Sequence, residues 1–178
     1  MVGTMAVPEA PLEQTEHGLV CRGPGWFVVN VEEVRWRAWP GLGFSTNLGG
    51  DTLFEQLGIG ITVLGPGEPM SMYHWETDQE DFLMLAGSGT LVIDGEKRSL
   101  RQWDFVHCPP RTAHVIVGGP CAVLGVGARE GDDDWGEYVA DPVATRLGAA
   151  PPETTADYDV AYARFPRREF TKYGGWLA

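Results

Sequence analysis

The feature of this 178-residue chain that most limits its fold is a train of short β-prone runs, cut at near-regular intervals by glycine and proline. Residues 26–31 read Trp-Phe-Val-Val-Asn-Val, and 34–39 alternate in part before Pro40-Gly41. Residues 54–64 end at the turn Gly65-Pro66-Gly67. Runs at 70–76, 80–85, 90–93, 96–100, 103–108, 113–117 and 121–126 follow. Asp94-Gly95, between two of them, suits a type I′ hairpin turn, which needs positive φ at both central residues. The 24 glycines and 13 prolines are spread along the chain, so they mark turns and not a disordered stretch. The pattern predicts an all-β sandwich or barrel.

The flanks differ from this region. Residues 1–24, broken by Pro8, Pro11, Gly18, Gly23 and Pro24, read as a polar N-terminal arm. The barrel is expected over 25–128. Residues 129–178 read as a C-terminal extension that packs on the barrel or on a partner subunit, because Tyr158, Tyr162, Phe165, Phe170, Tyr173 and Trp176 are too many aromatics for a free tail. Within it, Asp141-Pro142 forms an N-cap and first-turn proline for a short helix to Leu147, closed by Gly148.

A net charge of −12 argues against nucleic-acid and membrane-surface partners, but not against metal cations. No apolar run has the length of a membrane span, and the first 20 residues lack the marks of a signal peptide. Cys21, Cys108 and Cys121 are odd in number and form no C-x-x-C pair. A disulfide framework or structural zinc site is therefore not expected, and a reducing cytoplasm is.

The chemistry concentrates in the middle of the chain. His74 and Glu76 share one strand face by their spacing of two. Glu80 follows a short turn and opens the next strand, so a hairpin returns it beside that pair. His114 starts a later strand after Pro109-Pro110-Arg111. Nitrogen and oxygen donors converging inside a barrel are what a divalent cation requires. Glu76 is either a fourth ligand or the catalytic proton-transfer group beside the ion.

The run from His74 to Glu80, followed by six residues and Gly87, resembles the first motif of the cupin superfamily, G-x5-H-x-H-x(3,4)-E-x6-G. The run from Trp103 to His114 resembles the second, G-x5-P-x-G-x2-H-x3-N, fifteen residues after Gly87. The resemblance covers roughly residues 58–127 and is nearest to small single-domain bacterial cupins. Glu76 stands where the family usually has its second histidine. Gly67 stands one place early, and Trp103, Arg111 and Gly118 replace two glycines and the last asparagine.

The resemblance implies a double-stranded β-helix, or jelly-roll barrel. It also implies one divalent ion (Zn, Mn, Fe or Ni) on His74, Glu80 and His114, with Glu76 a ligand by position only. Met70, Met72 and Met84 suit core filling, but strand parity puts Met72 and Met84 with Phe82 and Ile116 among the expected pocket residues, and cupins commonly pair as homodimers. Two functions follow. One is a metalloenzyme, an isomerase, lyase or iron-dependent dioxygenase, acting on a small polar molecule. The other is a non-catalytic module that binds or senses a small ligand. Arg111, in a turn, is the one candidate for a substrate clamp near the motifs. His107 and Cys108 are expected to be structural, Trp75 to face away from the metal, and Asp132 to Asp134 to form a solvated loop.

Overall fold

The computed structural model describes residues 6–129 and 135–175. Strands β1 (Leu12–Thr15) and β2 (Gly18–Cys21) form a separate hairpin. A ten-stranded antiparallel sheet follows. It contains β3 (Trp36–Trp39), β4 (Gly43–Asn47), β5 (Leu57–Leu64), β6 (His74–Glu76), β7 (Glu80–Ile93), β8 (Glu96–Arg101), β9 (Phe105–Cys108), β10 (His114–Ala128), β11 (Gly136–Tyr138) and β12 (Glu169–Thr171). Two short helices, α1 (Pro142–Arg146) and α2 (Tyr158–Ala161), lie between the last two strands.

Two long strands close this sheet into a jelly-roll barrel. Along β10, His114 pairs with β6, and Cys121 to Ala128 pair with β5. Along β7, the first residues pair with β9 and Ser88 to Ile93 pair with β8. Both strands therefore serve both faces, and they bend where glycines cluster. The β7–β10 ladder slips register between Gly118 and Cys121. Gly87 has φ +73°, and a Cβ there would stand 1.8 Å from the Pro120 carbonyl oxygen, so only glycine fits the corner.

Three apolar layers result. Leu64, Phe82, Met84, Leu91, Leu100, Val106, Cys108, Ile116, Cys121 and Val123 fill the barrel. Alternate residues on the same strands point outward and are covered in turn. Tyr73, Val92, Val115 and Val117 pack under Ala144, Ala149 and Ala150 of the C-terminal segment. Trp36, Ile61, Val63 and Ala122 pack under Val29, Val31 and Tyr173. With both faces of the strands buried, the sheet is rich in continuous apolar runs.

Several expectations change. Residues 26–31 do not form a strand. Trp26 makes an isolated bridge to Glu9, and Val28 is 80% exposed, while Val29 and Val31 serve as a cover. The expected runs 80–85 and 90–93 are one strand, as are 113–117 and 121–126, because bulged glycines bend these strands without ending them. The arm contains the β1–β2 hairpin. β4, β11, β12 and α2 are polar or very short, and their pairing comes from neighbouring strands and not from their own pattern. The helix at 142–146 has the expected cap: Asp141 Oδ1 accepts from Val143 N at 2.7 Å and Ala144 N at 2.8 Å. Asp132 to Asp134 and Trp176 lie outside the described residues.

Trp36 is fully buried and its Nε1 donates to the Val31 carbonyl at 2.8 Å. Trp36→Ala is expected to lower unfolding stability by about 3–5 kcal/mol. Asp141→Ala, which removes only a helix cap, is expected to cost about 1 kcal/mol. Urea unfolding of the two variants checks the order, and equal losses would contradict this layering of the core.

Candidate metal centre

β6, β7 and β10 bring the chemistry together. His114 pairs directly with His74 across the β10–β6 ladder. Glu80 enters from the first residue of β7. His74, Glu80 and His114 each offer one donor atom, and these atoms all lie within 4.8 Å of one another. Both histidines are buried and Glu80 is half-buried.

The backbone fixes which ring nitrogen faces inward. His74 Nδ1 lies 2.7 Å from the Met72 carbonyl and His114 Nδ1 lies 2.9 Å from the Thr112 carbonyl. A carbonyl only accepts, so each Nδ1 carries the proton and donates. Each Nε2 is then turned toward carboxylate oxygen. His74 Nε2 is 3.5 Å from Glu80 Oε2 and 3.4 Å from Glu76 Oε1, and His114 Nε2 is 3.2 Å from Glu80 Oε2.

Glu80 Oε2 and His114 Nε2 are buried without an aligned hydrogen bond. Two lone pairs facing at 3.2 Å repel unless positive charge stands between them, either a second proton on each ring or a cation. The donor set, two neutral imidazoles and one carboxylate with their other faces tied to the backbone, fits a divalent ion of borderline hardness.

Without an ion, protons on the two imidazoles supply the balancing charge. Burial works against the charged form of His74, but contacts with Glu76 and Glu80 outweigh it and raise its pKa to about 10. His114 is likewise opposed by burial but raised to about 9, through Cys108 and Glu80. Burial would raise Glu80, yet His114 and His74 hold it down at about 2.

A cavity of about 230 Å³ opens at this cluster, lined by Met70, Ser71, Phe82, Ile116, Trp135, Tyr138 and Tyr162 as well as the donors. A wider mouth of about 440 Å³ shares Met70, Glu76, Glu80 and Phe82 with it. Phe82 and Ile116 face the site. Met72 and Met84 do not, which corrects two expected pocket residues. Met72 precedes the start of β6, so strand alternation does not govern it, and it packs with Leu42, Tyr138 and Tyr162. Met84 has the inward parity of Phe82 but lies one step deeper, fully buried in the barrel core.

Glu76 reaches His74 but is not in the group of mutually close donors. Trp75 points away and lies under Arg111, whose guanidinium is 5.3 Å from its ring, so Arg111 is no clamp for this cavity. His107 is exposed and pairs with Asp81 at 2.6 Å, and Cys108 is buried in the core. Tyr138 was not expected at the site, and Tyr162 was expected only to pack on the barrel or a partner with the other tail aromatics. Tyr138 reaches the site by pairing opposite His74, and Tyr162 does so from α2, where its hydroxyl accepts from Met72 N at 3.1 Å. Burial pushes the Tyr162 hydroxyl up to about 12 and Tyr138 higher still, so both stay protonated.

Residues 60–125, which hold most of the barrel and all four acidic and imidazole groups, match the cupin domain family. That match spans the barrel strands from β5 to β10 and leaves the flanking segments outside it. Among its relatives, dimethylsulfoniopropionate lyase DddW of Ruegeria pomeroyi is 32% identical over 88 residues, or 49% of this chain and 53% of the relative. The chain thus spans about half the length of the curated relative it matches. Among solved structures, a putative sugar phosphate isomerase from Acidithiobacillus ferrooxidans is 28% identical with a TM-score of 0.46, over 51% of this chain and 62% of that one. The dimethylsulfoniopropionate lyase DddQ of Ruegeria pomeroyi is 22% identical with a TM-score of 0.41, over 50% of this chain and 47% of that one.

The raised imidazole values give a pH dependence. In metal-free protein their charge stabilises the fold in full below the ordinary value of 6.5, and that contribution is gone once pH passes about 9 to 10. Chelator-treated protein should therefore melt at progressively lower temperature from pH 6.5 to 9.5, with a shallower fall in His114→Gln. Equal slopes in the two proteins would show that the cluster does not carry this charge.

Proposed function

We propose that this chain is a metal-dependent cupin enzyme in which His74, Glu80 and His114 hold one divalent ion and a small polar molecule binds in the cavity beside it. The observation that carries the reading is the pair of buried donors, Glu80 Oε2 and His114 Nε2, facing each other at 3.2 Å with no aligned proton between them. When bound, the ion acts as a Lewis acid that polarises a carbonyl or carboxylate oxygen of the substrate.

The chain's own residues divide the remaining work. Glu76 lines both the inner cavity and its mouth and stands outside the close donor group, so its role is to take or deliver a proton at the substrate. Tyr138 and Tyr162, kept protonated by burial, are hydrogen-bond donors to substrate oxygen. Phe82, Ile116 and Met70 exclude water from the inner end. Lyase or isomerase chemistry, opened by removal of a proton from carbon, suits this set. The similarity to DddW, a lyase, favours it over oxygen activation.

Elemental analysis of untagged protein, reconstituted in turn with Zn, Mn, Fe and Ni, should find about one ion per chain with at least one of these metals. His114→Ala should abolish uptake, and His17→Ala, on the far β1–β2 hairpin, should leave it unchanged. Absence of stoichiometric metal under all four conditions would end the metalloenzyme reading.

A homodimer in a reducing cytoplasm belongs to the same proposal. Trp103 and Phe105, beside and on β9, are 67% and 64% exposed and are the large apolar side chains such an interface would cover. Light scattering at micromolar concentration should give twice the 19.5 kDa chain mass, and a monomer would refute the pairing.

A further inference from the structure

The mouth of the barrel is built from three neighbouring rows of inward-facing residues. Residues directly opposite in a ladder share a face, so each row can be followed across the sheet. One row runs Gly58, Gly127, Glu80. The next runs Asn47, Gly60, Gly125, Phe82. The third runs Arg37, Ser45, Thr62, Val123, Met84, and its last two members lie in the barrel core.

Four glycines thus occupy positions where side chains would otherwise fill the barrel. A Cβ at Gly125 would meet Met70 Cε at 3.3 Å and the Phe82 ring at 3.5 Å. A Cβ at Gly60 would meet the Thr46 carbonyl oxygen at 2.7 Å and one at Gly58 the Arg129 guanidinium at 3.2 Å, and all four glycines border one open space. That space is the 440 Å³ mouth, lined by Arg37, Ser45, Asn47 and Thr62, by the acids Glu76, Asp78 and Glu80, and by Arg129, whose guanidinium is already donating to the Phe54 carbonyl at 3.0 Å.

Arg37 is the unusual member. It is half-buried, and among the described residues its side chain makes no hydrogen bond or ion pair, with Asp51 the one acidic group near enough to favour its charge. Its nearest aromatic partner is Phe170, with the guanidinium 5.6 Å from the ring centroid. Arg35, two residues away, is paired with Asp51 and stacked 4.1 Å from the same ring. Burial, followed by Arg168 and Arg35, works against the Arg37 charge. A guanidinium remains charged even so, and Arg37 lines the mouth with no side-chain acceptor bound to its five donors.

We propose that Arg37 anchors an oxyanion group of the substrate, a carboxylate or a phosphate, with the Ser45 and Thr62 hydroxyls and the Asn47 amide around it. The bound molecule spans from this anchor to the His74–Glu80–His114 cluster, so the substrate is a small organic anion and not a neutral polar molecule. The inference deepens the metalloenzyme reading and rests on it for the position of the reacting end. The Arg37 anchor itself needs no metal.

The experiment titrates inorganic phosphate and, separately, propionate into metal-reconstituted and chelator-stripped protein by calorimetry. At least one probe should bind both forms. Arg37→Gln should weaken that binding by about tenfold or more, and Arg37→Lys should recover part of it. Metal content and melting temperature should match wild type in both variants. Arg98→Gln, on exposed β8, serves as a control and should change nothing. Preference for phosphate assigns a phosphate ester, and preference for propionate assigns a carboxylate. Failure of wild type to bind either probe, or undiminished binding in Arg37→Gln, overturns the assignment. Loss of metal uptake alone, with Arg37-dependent binding intact, refutes the metal reading and leaves the anchor standing.

Discussion

The site depends on one buried carboxylate. Glu80 stands between two imidazoles whose Nδ1 atoms are tied to backbone carbonyls, so neither ring can turn to relieve the contact. A carboxylate so placed has a large desolvation cost unless opposite charge sits beside it. The barrel geometry forces the arrangement, because His74 and His114 are ladder partners and Glu80 opens the strand that pairs with β10. The fold therefore builds a place for positive charge before any ion or substrate arrives, and protons or a cation are the two ways to fill it.

The same strands set the shape of the cavity. The interior of a small barrel is normally closed by side chains. Here the core closes at Met84 and Val123, while the rows toward the mouth lose their side chains at Gly58, Gly60, Gly125 and Gly127. The terminal segments complete the enclosure. Val29, Val31 and Tyr173 cover one outer face, the alanines near α1 cover the other, and Tyr138 and Tyr162 reach round to line the inner cavity. These coverings let both faces of the strands be apolar, and the two tyrosines border the same cavity as the donor cluster.

What the sequence could show was local. Alternation and the Asp94-Gly95 turn mark the central strands, and spacing places His74, Glu76 and Glu80 near one another because a hairpin connects them. His114 was legible as a donor at the start of a later strand, and the barrel fold together with the motif resemblance brought it to the same point. Arg37 was not legible at all. It lies far from both motifs and reaches the cavity through three successive pairings, Arg37 to Ser45 to Thr62 to Val123. Tyr138 and Tyr162 follow the barrel in sequence and arrive by tertiary packing, which no period encodes. The error at 26–31 has the opposite cause. Those residues have strand composition because they pack on a sheet as a cover, and burial of a pleated face is much of what β propensity measures. Met72 failed as a pocket residue because alternation holds only inside a strand, and β6 begins at His74.

The two glutamates show how one site assigns different tasks to like residues. Glu80 is 17% exposed at its side chain, contacts both imidazoles and is held well below the usual carboxylate range. Glu76 is 32% exposed, contacts one imidazole and borders both the inner cavity and its mouth. Position separates the pair: Glu80 is held between the two imidazoles, and Glu76 stands at the border of the two cavities. Glu76, standing where the usual second histidine would be, thus leaves a three-donor cluster intact and puts a carboxylate at the point where the cavity and the cluster meet.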